Sequence, residues 1–305
     1  MNNLFGREGG SVINYIEGAY DLHVHSAPDV LPRRMDDVEM AQRIIASGMA
    51  GYIIKSHYFC TSERAQIINK VFPGCKAFGS ITLNSSVGGI NPSAMEMACR
   101  SGIKLVWFPT CDGINERSYV FSDRCKVMPY WGKIVIQLTE EGIETPLVSV
   151  LDDRGELTPE TLQVLDIIAK YNIILATGHI SHEEAFKLVP EAAKRGVKKI
   201  VITHVTYNNT LYSIEEQKKL ADYGAYMEHC YTTFATGKST FETELEQIRA
   251  LGSDHVVLST DLGQKTAIFP DEGLRIYCEK LAENGFSVSE LRKMVRDNQE
   301  KLLAD

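Results

Sequence analysis

Apolar positions along the chain follow two alternating rhythms. Short apolar runs read as strands, and stretches with apolar residues three or four apart read as amphipathic helices. The first strand starts near residue 20 and ends in His23-x-His25. Seven further strands are predicted at Gly51–His57, Cys75–Asn84, Ile103–Thr110, Ile173–His179, Lys199–His204, Ala225–Cys230 and His255–Asp261. Helices are predicted at Asp36–Ser47, Ser62–Val71, Pro92–Ser101, Pro159–Tyr171, His182–Arg195, Ile214–Tyr223, Thr240–Leu251 and Asp271–Asn284, with a last helical segment from Ser287. In the first of these, Met40, Ile44 and Ile45 form the apolar face and Gly48 is the stop signal.

Residues 1–18 read as a lead-in, helical around Val12–Glu17. Residues 111–160 read as an irregular excursion carrying a β-hairpin, with Leu147–Val150 as one arm and Asp153-Arg154-Gly155 as the turn.

The strand starts, near 20, 51, 76, 103, 173, 199, 225 and 255, recur every 25 to 31 residues except across the excursion. Eight strand–helix units at this spacing predict a parallel sheet, and their number and size predict a single-domain (β/α)8 TIM-type barrel over residues 1–305, enlarged after strand 4. The rival, an open doubly wound sheet, lacks its glycine-rich dinucleotide turn after the first strand.

Composition narrows the class. With 32 basic and 40 acidic residues the net charge is −8, which leaves no electrostatic footprint for nucleic acid or an anionic membrane. No apolar run reaches the roughly 20 residues of a membrane helix. The first 20 residues lack the basic-then-apolar order of a secretory signal. Seven scattered cysteines without a C-x-x-C pair predict reduced thiols, hence a cytoplasmic protein.

Chemistry is expected at the C-terminal ends of barrel strands. Those ends carry His23 and His25, Lys55 and His57, Asn84, His179, His204, Glu228 and His229, and Asp261. Six of the eight histidines therefore collect at one end of the predicted barrel. Alternation along a strand points His23 and His25 one way and Leu22 and Val24 the other, and gives Lys55 and His57 one face. Two imidazoles on one face can chelate a transition metal.

The combined pattern resembles the metal-dependent amidohydrolase superfamily. It comprises His23-x-His25 on strand 1, His179 on strand 5, His204 on strand 6, Asp261 on strand 8 and the closing Asp297-Asn298-x-x-Lys301-Leu302-Leu303. Ile54-Lys55-Ser56-His57-Tyr58 resembles a separate branch of it rather than one of its named enzymes. The resemblance implies that His23, His25 and Asp261 hold one divalent metal, and His179 and His204 a second or the substrate. Zinc is expected first, with manganese or iron as alternatives. Asp261 is then ligand and general base, with His204 and His57 beside the reacting bond.

The fourth strand ends Trp107-Phe108-Pro109-Thr110, without the bridging lysine or glutamate usual in two-metal members. Lys55 is the substitute, as a carboxylated bridge or a binder of an anionic substrate group; Glu228 is another candidate ligand, and a one-metal site stays open.

Arg33, Arg64, Asn84, Glu228 and His229 are the candidate substrate contacts, the two arginines for a carboxylate or phosphate. His182 reads as part of a Ser181/Glu184 capping box, and His255 lies at the far end of the barrel. Cys111, Asp112, Tyr207, Tyr212 and Tyr231 are loop residues near the predicted pocket. The expected activity is hydrolysis of a small amide, cyclic amide or lactone by a homo-oligomer meeting through the excursion. A phosphoesterase resembling the polymerase-and-histidinol-phosphatase family, a decarboxylase and a non-catalytic metabolite binder are the alternatives.

Overall fold

The computed structural model describes residues 7–8 and 11–305. Part of the expected lead-in lies outside the described residues. Within them Ser11–Val12 pairs with Arg7–Glu8, and Tyr15–Gly18 forms a turn rather than the expected helix.

Eight parallel strands follow: β1 (Tyr20–Val24), β2 (Gly51–Ile54), β3 (Lys76–Thr82), β4 (Ile103–Trp107), β5 (Ile174–Ala176), β6 (Ile200–Ile202), β7 (Tyr226–Cys230) and β8 (Val256–Ser259). Each pairs with the next in sequence order. The chain beyond β8 returns to β1, where Asp261 N–H donates to His23 O at 2.9 Å and His25 N–H donates to Leu262 O at 2.8 Å. These bonds close the (β/α)8 barrel predicted from the spacing.

The helices between strands are α1 (Asp37–Ser47), α2 (Ser62–Val71), α3 (Pro92–Arg100), α4 (Ile114–Val120), α5 (Tyr130–Glu140), α6 (Pro159–Tyr171), α7 (His182–Lys194), α8 (Ile214–Ala221), α9 (Tyr231–Ala235), α10 (Phe241–Leu251) and α11 (Pro270–Glu283). Local chemistry sets their ends. Capping boxes at Asp36/Glu39, Ser181/Glu184 and Ser213/Glu216 satisfy free N–H groups at the starts of α1, α7 and α8. Their inner faces join the outward side chains of the strands in two large apolar layers.

The excursion differs from expectation. It contains α4 and α5, and the hairpin shrinks to one antiparallel bridge between Leu151 and Leu157. Trp131, Ile134, Val135 and Leu138 recur at i, i+3, i+4 and i+7, so α5 is an amphipathic helix in a segment read as loop.

Inside the barrel, Leu22, Ile53, Leu105, Trp107, Ile174, Val201 and Val257 form a closed apolar layer. Leu302 and Leu303 pack into the same layer from α13 (Asn298–Leu303), which follows α12 (Val288–Arg292) and a π-helical turn. They make the barrel floor. Burial of about one leucine side chain stabilises by roughly 1.5–3 kcal/mol, and truncation adds a cavity cost. Leu302→Ala is therefore expected to lower the unfolding free energy by about 3 kcal/mol, measured by urea denaturation at unchanged m-value. An unmoved midpoint would show that this helix does not seal the barrel.

Candidate metal centre

The centre begins with an irregularity in β1. Asp21 pairs with Tyr52 and Val24 with Ile54, leaving Leu22 and His23 both opposite Ile53. This is a β-bulge, and bulges re-aim side chains. Its local cause is Asp21, whose Oδ1 accepts the His23 N–H at 3.1 Å and removes it from the ladder. Strict alternation had placed Leu22 opposite to His23; the bulge puts both in the barrel interior and turns Val24 outward. Burial pushes the Asp21 carboxyl up to about 7, against the lowering effect of its bonds from Thr260 and His23.

Two further ligand candidates sit on left-handed backbone. His204 and Asp261 each have φ 53°, uncommon for residues other than glycine, although histidine and aspartate are among those that tolerate it best. Gly263, at φ +133°, leaves room for the closure: a Cβ there would stand 1.7 Å from His25 O. Gly178 does the same before His179, where a Cβ would meet Phe108 O at 2.2 Å.

These turns bring the predicted residues together. His23 Nε2 and His25 Nε2 both lie 3.2 Å from Asp261 Oδ1, and His204 Nε2 lies 3.7 Å from Asp261 Oδ2. The imidazoles form an arc, with ring centres 5.0 Å apart for His25–His57, 6.5 Å for His57–His179, 5.3 Å for His179–His204 and 5.0 Å for His204–His23. Lys55 Nζ is 2.8 Å from His23 Nε2 and 4.1 Å from the centre of the Trp107 ring. All are buried except Asp261, whose side chain is 16% exposed and so faces the opening.

Electrostatics suit ligation. Burial, with Arg33 adding to it at His25 and Lys55 at His57, holds these two imidazoles well below their ordinary range; burial also lowers His204. They are neutral donors, the form a metal binds. Burial and Lys55 also lower His23, but Glu228 and Asp261 outweigh them and raise it. Burial would raise Asp261, yet His23, His25 and His204 hold it well below the carboxylate range. Burial lowers Lys55, partly offset by Asp261 and Glu228.

Two residue sets have ligand atoms within 4.8 Å of one another, His23/His25/Asp261 and His23/His204/Glu228/Cys230. His179 Nε2 and His204 Nδ1 have no hydrogen-bond partner among the described residues, while His179 Nδ1 faces the Glu116 carboxylate at 3.3 Å. Unpaired nitrogens on buried imidazoles fit a cation that takes their lone pairs.

Other sequence candidates occupy supporting places. Glu228 lies behind His23, both carboxylate oxygens 3.3 Å from its Nδ1, which directs Nε2 toward Asp261. It is fully buried and lines no open surface. Asn84 was expected to contact substrate. Instead it donates to His57 O at 2.9 Å and Thr110 Oγ1 at 2.8 Å and accepts from Thr110 N–H at 2.8 Å, bracketing the loop behind His57.

Both arginines are already paired. Arg33 forms an ion pair with Asp29 at 2.5 Å and approaches His25 Nδ1 at 3.2 Å; Arg64 is paired with Asp37 at 2.8 Å. Neither offers a free cation for an anionic substrate group. His229 does not join the centre: neighbouring Glu228 points in, so His229 points out, and its Nδ1 meets Glu244 of α10 at 2.6 Å. His182 stays structural, stacked 4.2 Å from Tyr212 and bonded to Glu216.

Residues not singled out from the sequence complete the site. Thr110 Oγ1 lies 2.8 Å from His57 Nδ1, Thr232 donates to Asp261 Oδ2 at 3.0 Å, and Glu116 of α4 stands 3.3 Å from His179 Nδ1. Their partners come from distant segments, so no local motif marks them.

The chain belongs to a family of unknown function (DUF6282), whose profile matches residues 18–228. No curated protein matches it by sequence. Among solved structures it is similar to the probable dipeptidase PvdM of Pseudomonas aeruginosa, at 10% identity and TM-score 0.59 over 95% of each chain. It is similar to organophosphorus hydrolase from Deinococcus radiodurans, at 11% identity and TM-score 0.59 over 97% of this chain and 95% of that one. It is also similar to the TatD homologue YJJV of Escherichia coli K12, at 13% identity and TM-score 0.59 over 95% and 99%. At these identities the likeness establishes the fold alone, the (β/α)8 barrel read from the strand spacing. No helix among the described residues is long and apolar enough to cross a membrane.

Asn84→Ala separates bracket from substrate contact. Its loss leaves buried donors and acceptors unpaired, at about 1–3 kcal/mol for each group, so urea denaturation should show a destabilisation of about 3 kcal/mol. Full stability together with a raised KM would instead make Asn84 a substrate contact.

Proposed function

We propose that the chain is a metal-dependent hydrolase acting on a small amide, cyclic amide or lactone. The observation that carries this reading is the convergence of His23 Nε2 and His25 Nε2 on one oxygen of Asp261, each at 3.2 Å, with unpaired imidazole nitrogens beside it. The similar structures, a probable dipeptidase and an organophosphorus hydrolase, support hydrolysis as the reaction type.

His23, His25 and Asp261 would hold one divalent ion, and His179 and His204 a second. Zinc suits this imidazole and carboxylate set, and manganese or iron accepts the same donors. Lys55, carboxylated on Nζ, would supply the bridge that β4 lacks, because Trp107 fills that place in the barrel. A bound divalent ion polarises a carbonyl oxygen and lowers the pKa of coordinated water from ~15.7 to about 7.

The chain's own groups do the rest. Asp261 Oδ2, held by Thr232 and within 3.7 Å of His204 Nε2, accepts the proton of the attacking water and returns it to the leaving nitrogen or oxygen. His57, its ring fixed by Thr110, contacts the substrate carbonyl side. Burial of the arc keeps bulk water from the reacting groups.

A phosphate ester is the second reading, favoured by the likeness to organophosphorus hydrolase; the pairing of Arg33 and Arg64 with carboxylates counts against it. Exposed Val127 and Tyr130 in the excursion support self-association there.

Metal analysis of purified protein tests the reading. Wild type should hold about two equivalents, the two-ion arrangement of many hydrolases, with His25→Ala and His179→Ala each losing metal and hydrolysis of an amide and lactone panel. Glu228→Gln should keep the fold and weaken metal binding by ~10–100-fold. Protein that binds no metal after reconstitution would sink the hydrolase.

A further inference from the structure

Beside the histidine arc lies a second feature that the hydrolase reading leaves without a role. A cavity of about 240 Å³ opens between the barrel mouth and α5. The apolar stripe of α5 faces it through Trp131, Ile134, Val135 and Leu138, opposite Tyr58 and Cys111. Three of the four stripe residues are only half-buried, because the stripe borders space rather than a packed layer.

The cavity shares a wall with the proposed reaction site. Tyr58 follows His57, and its ring stands edge-on to that imidazole with centres 6.3 Å apart. Cys111 follows Thr110, the residue that fixes His57, and its Sγ accepts from Asn84 at 3.2 Å.

Chemistry restricts what can enter. Asp112 also lines the cavity, but Arg117 at 2.6 Å and the Ser85 hydroxyl and N–H neutralise it. An anionic group would find no free counter-ion on these walls, and Glu144, an exposed carboxylate of the lining, would repel it. The Tyr58 hydroxyl is buried and has no hydrogen-bond partner among the described residues. Buried hydroxyls are normally paired, and Tyr58 lines the cavity, so a ligand acceptor that its ring turns to meet would satisfy this one. The volume lies just below the ~300–1,000 Å³ usual for ligand pockets, which suits a short alkyl chain or one aromatic ring.

We propose that this cavity is the specificity pocket of the enzyme and takes a neutral apolar group of the substrate, with an acceptor oxygen bonded to Tyr58 Oη. The placement relative to chemistry rests on the hydrolase reading above; the binding itself does not. The pocket is built by the excursion after β4, so that segment selects the substrate while the strand ends hold the reacting groups.

The test titrates the metal-reconstituted full chain with methyl ketones from 2-butanone to 2-octanone, which carry an acceptor oxygen and no bond for hydrolysis. Binding is read by calorimetry and by the fluorescence of Trp131, one of two tryptophans in the chain. Affinity should rise about four-fold per added methylene and level off when the cavity is full. Ile134→Trp should flatten that series by filling the space. Leu138→Phe, a milder filling, should shorten the chain length at which it levels off, with both melting temperatures checked against wild type. Tyr58→Phe should weaken every member about five-fold without changing the increment per methylene.

A flat series in wild type, or the same series in folded filling variants, overturns the pocket. Ketone binding with the predicted increments but no hydrolysis of any amide or lactone keeps the pocket and removes the hydrolase. Hydrolysis alongside a flat ketone series does the reverse.

Discussion

One buried carboxylate sets the geometry on which the site depends. Asp21 accepts the His23 N–H, and it accepts both the N–H and the hydroxyl of Thr260. The first contact bulges β1 and turns His23 inward beside Leu22. The second ties the end of β8 to β1, so that Asp261 arrives opposite His23 and His25. A buried acceptor with three donors is worth more in low dielectric than the same bonds in water, and correspondingly costly to lose. The barrel closure and the ligand geometry are therefore one structural event.

Around that event the site is layered by function of the elements. Strand ends and their left-handed turns at His204 and Asp261 carry the imidazoles and the carboxylate that converge. Glu228, Thr110, Thr232 and Glu116 stand behind them and orient rings and carboxylate. The excursion, through α4 and α5, contributes Glu116 behind His179 and roofs the adjacent cavity.

The sequence was most legible where a period or a spacing repeats. Strand starts predicted at 173, 199, 225 and 255 fall within one residue of those in the structure, because each buried run is bounded by helices of matching length. Alternation could also have excluded His229, since it neighbours inward-facing Glu228 on a regular strand. The stripe of α5 was equally readable, but the surrounding proline and glycines made the segment look irregular. Arg33 and Arg64 illustrate a different limit: a basic residue on a loop or helix start looks available until its carboxylate partner is known, and Asp29 and Asp37 are visible as partners only in three dimensions.

By itself the sequence determined eight strand–helix units and the collection of histidines, Lys55 and Asp261 at one end of the barrel, because periodicity and strand parity are local properties of the chain. The tertiary structure alone decided which of these converge. Asp21 reaching Thr260, Asn84 bracketing the His57 loop and Glu116 meeting His179 each join segments 26 to 239 residues apart. Such contacts follow from barrel closure and packing, for which no single stretch of sequence carries the signal.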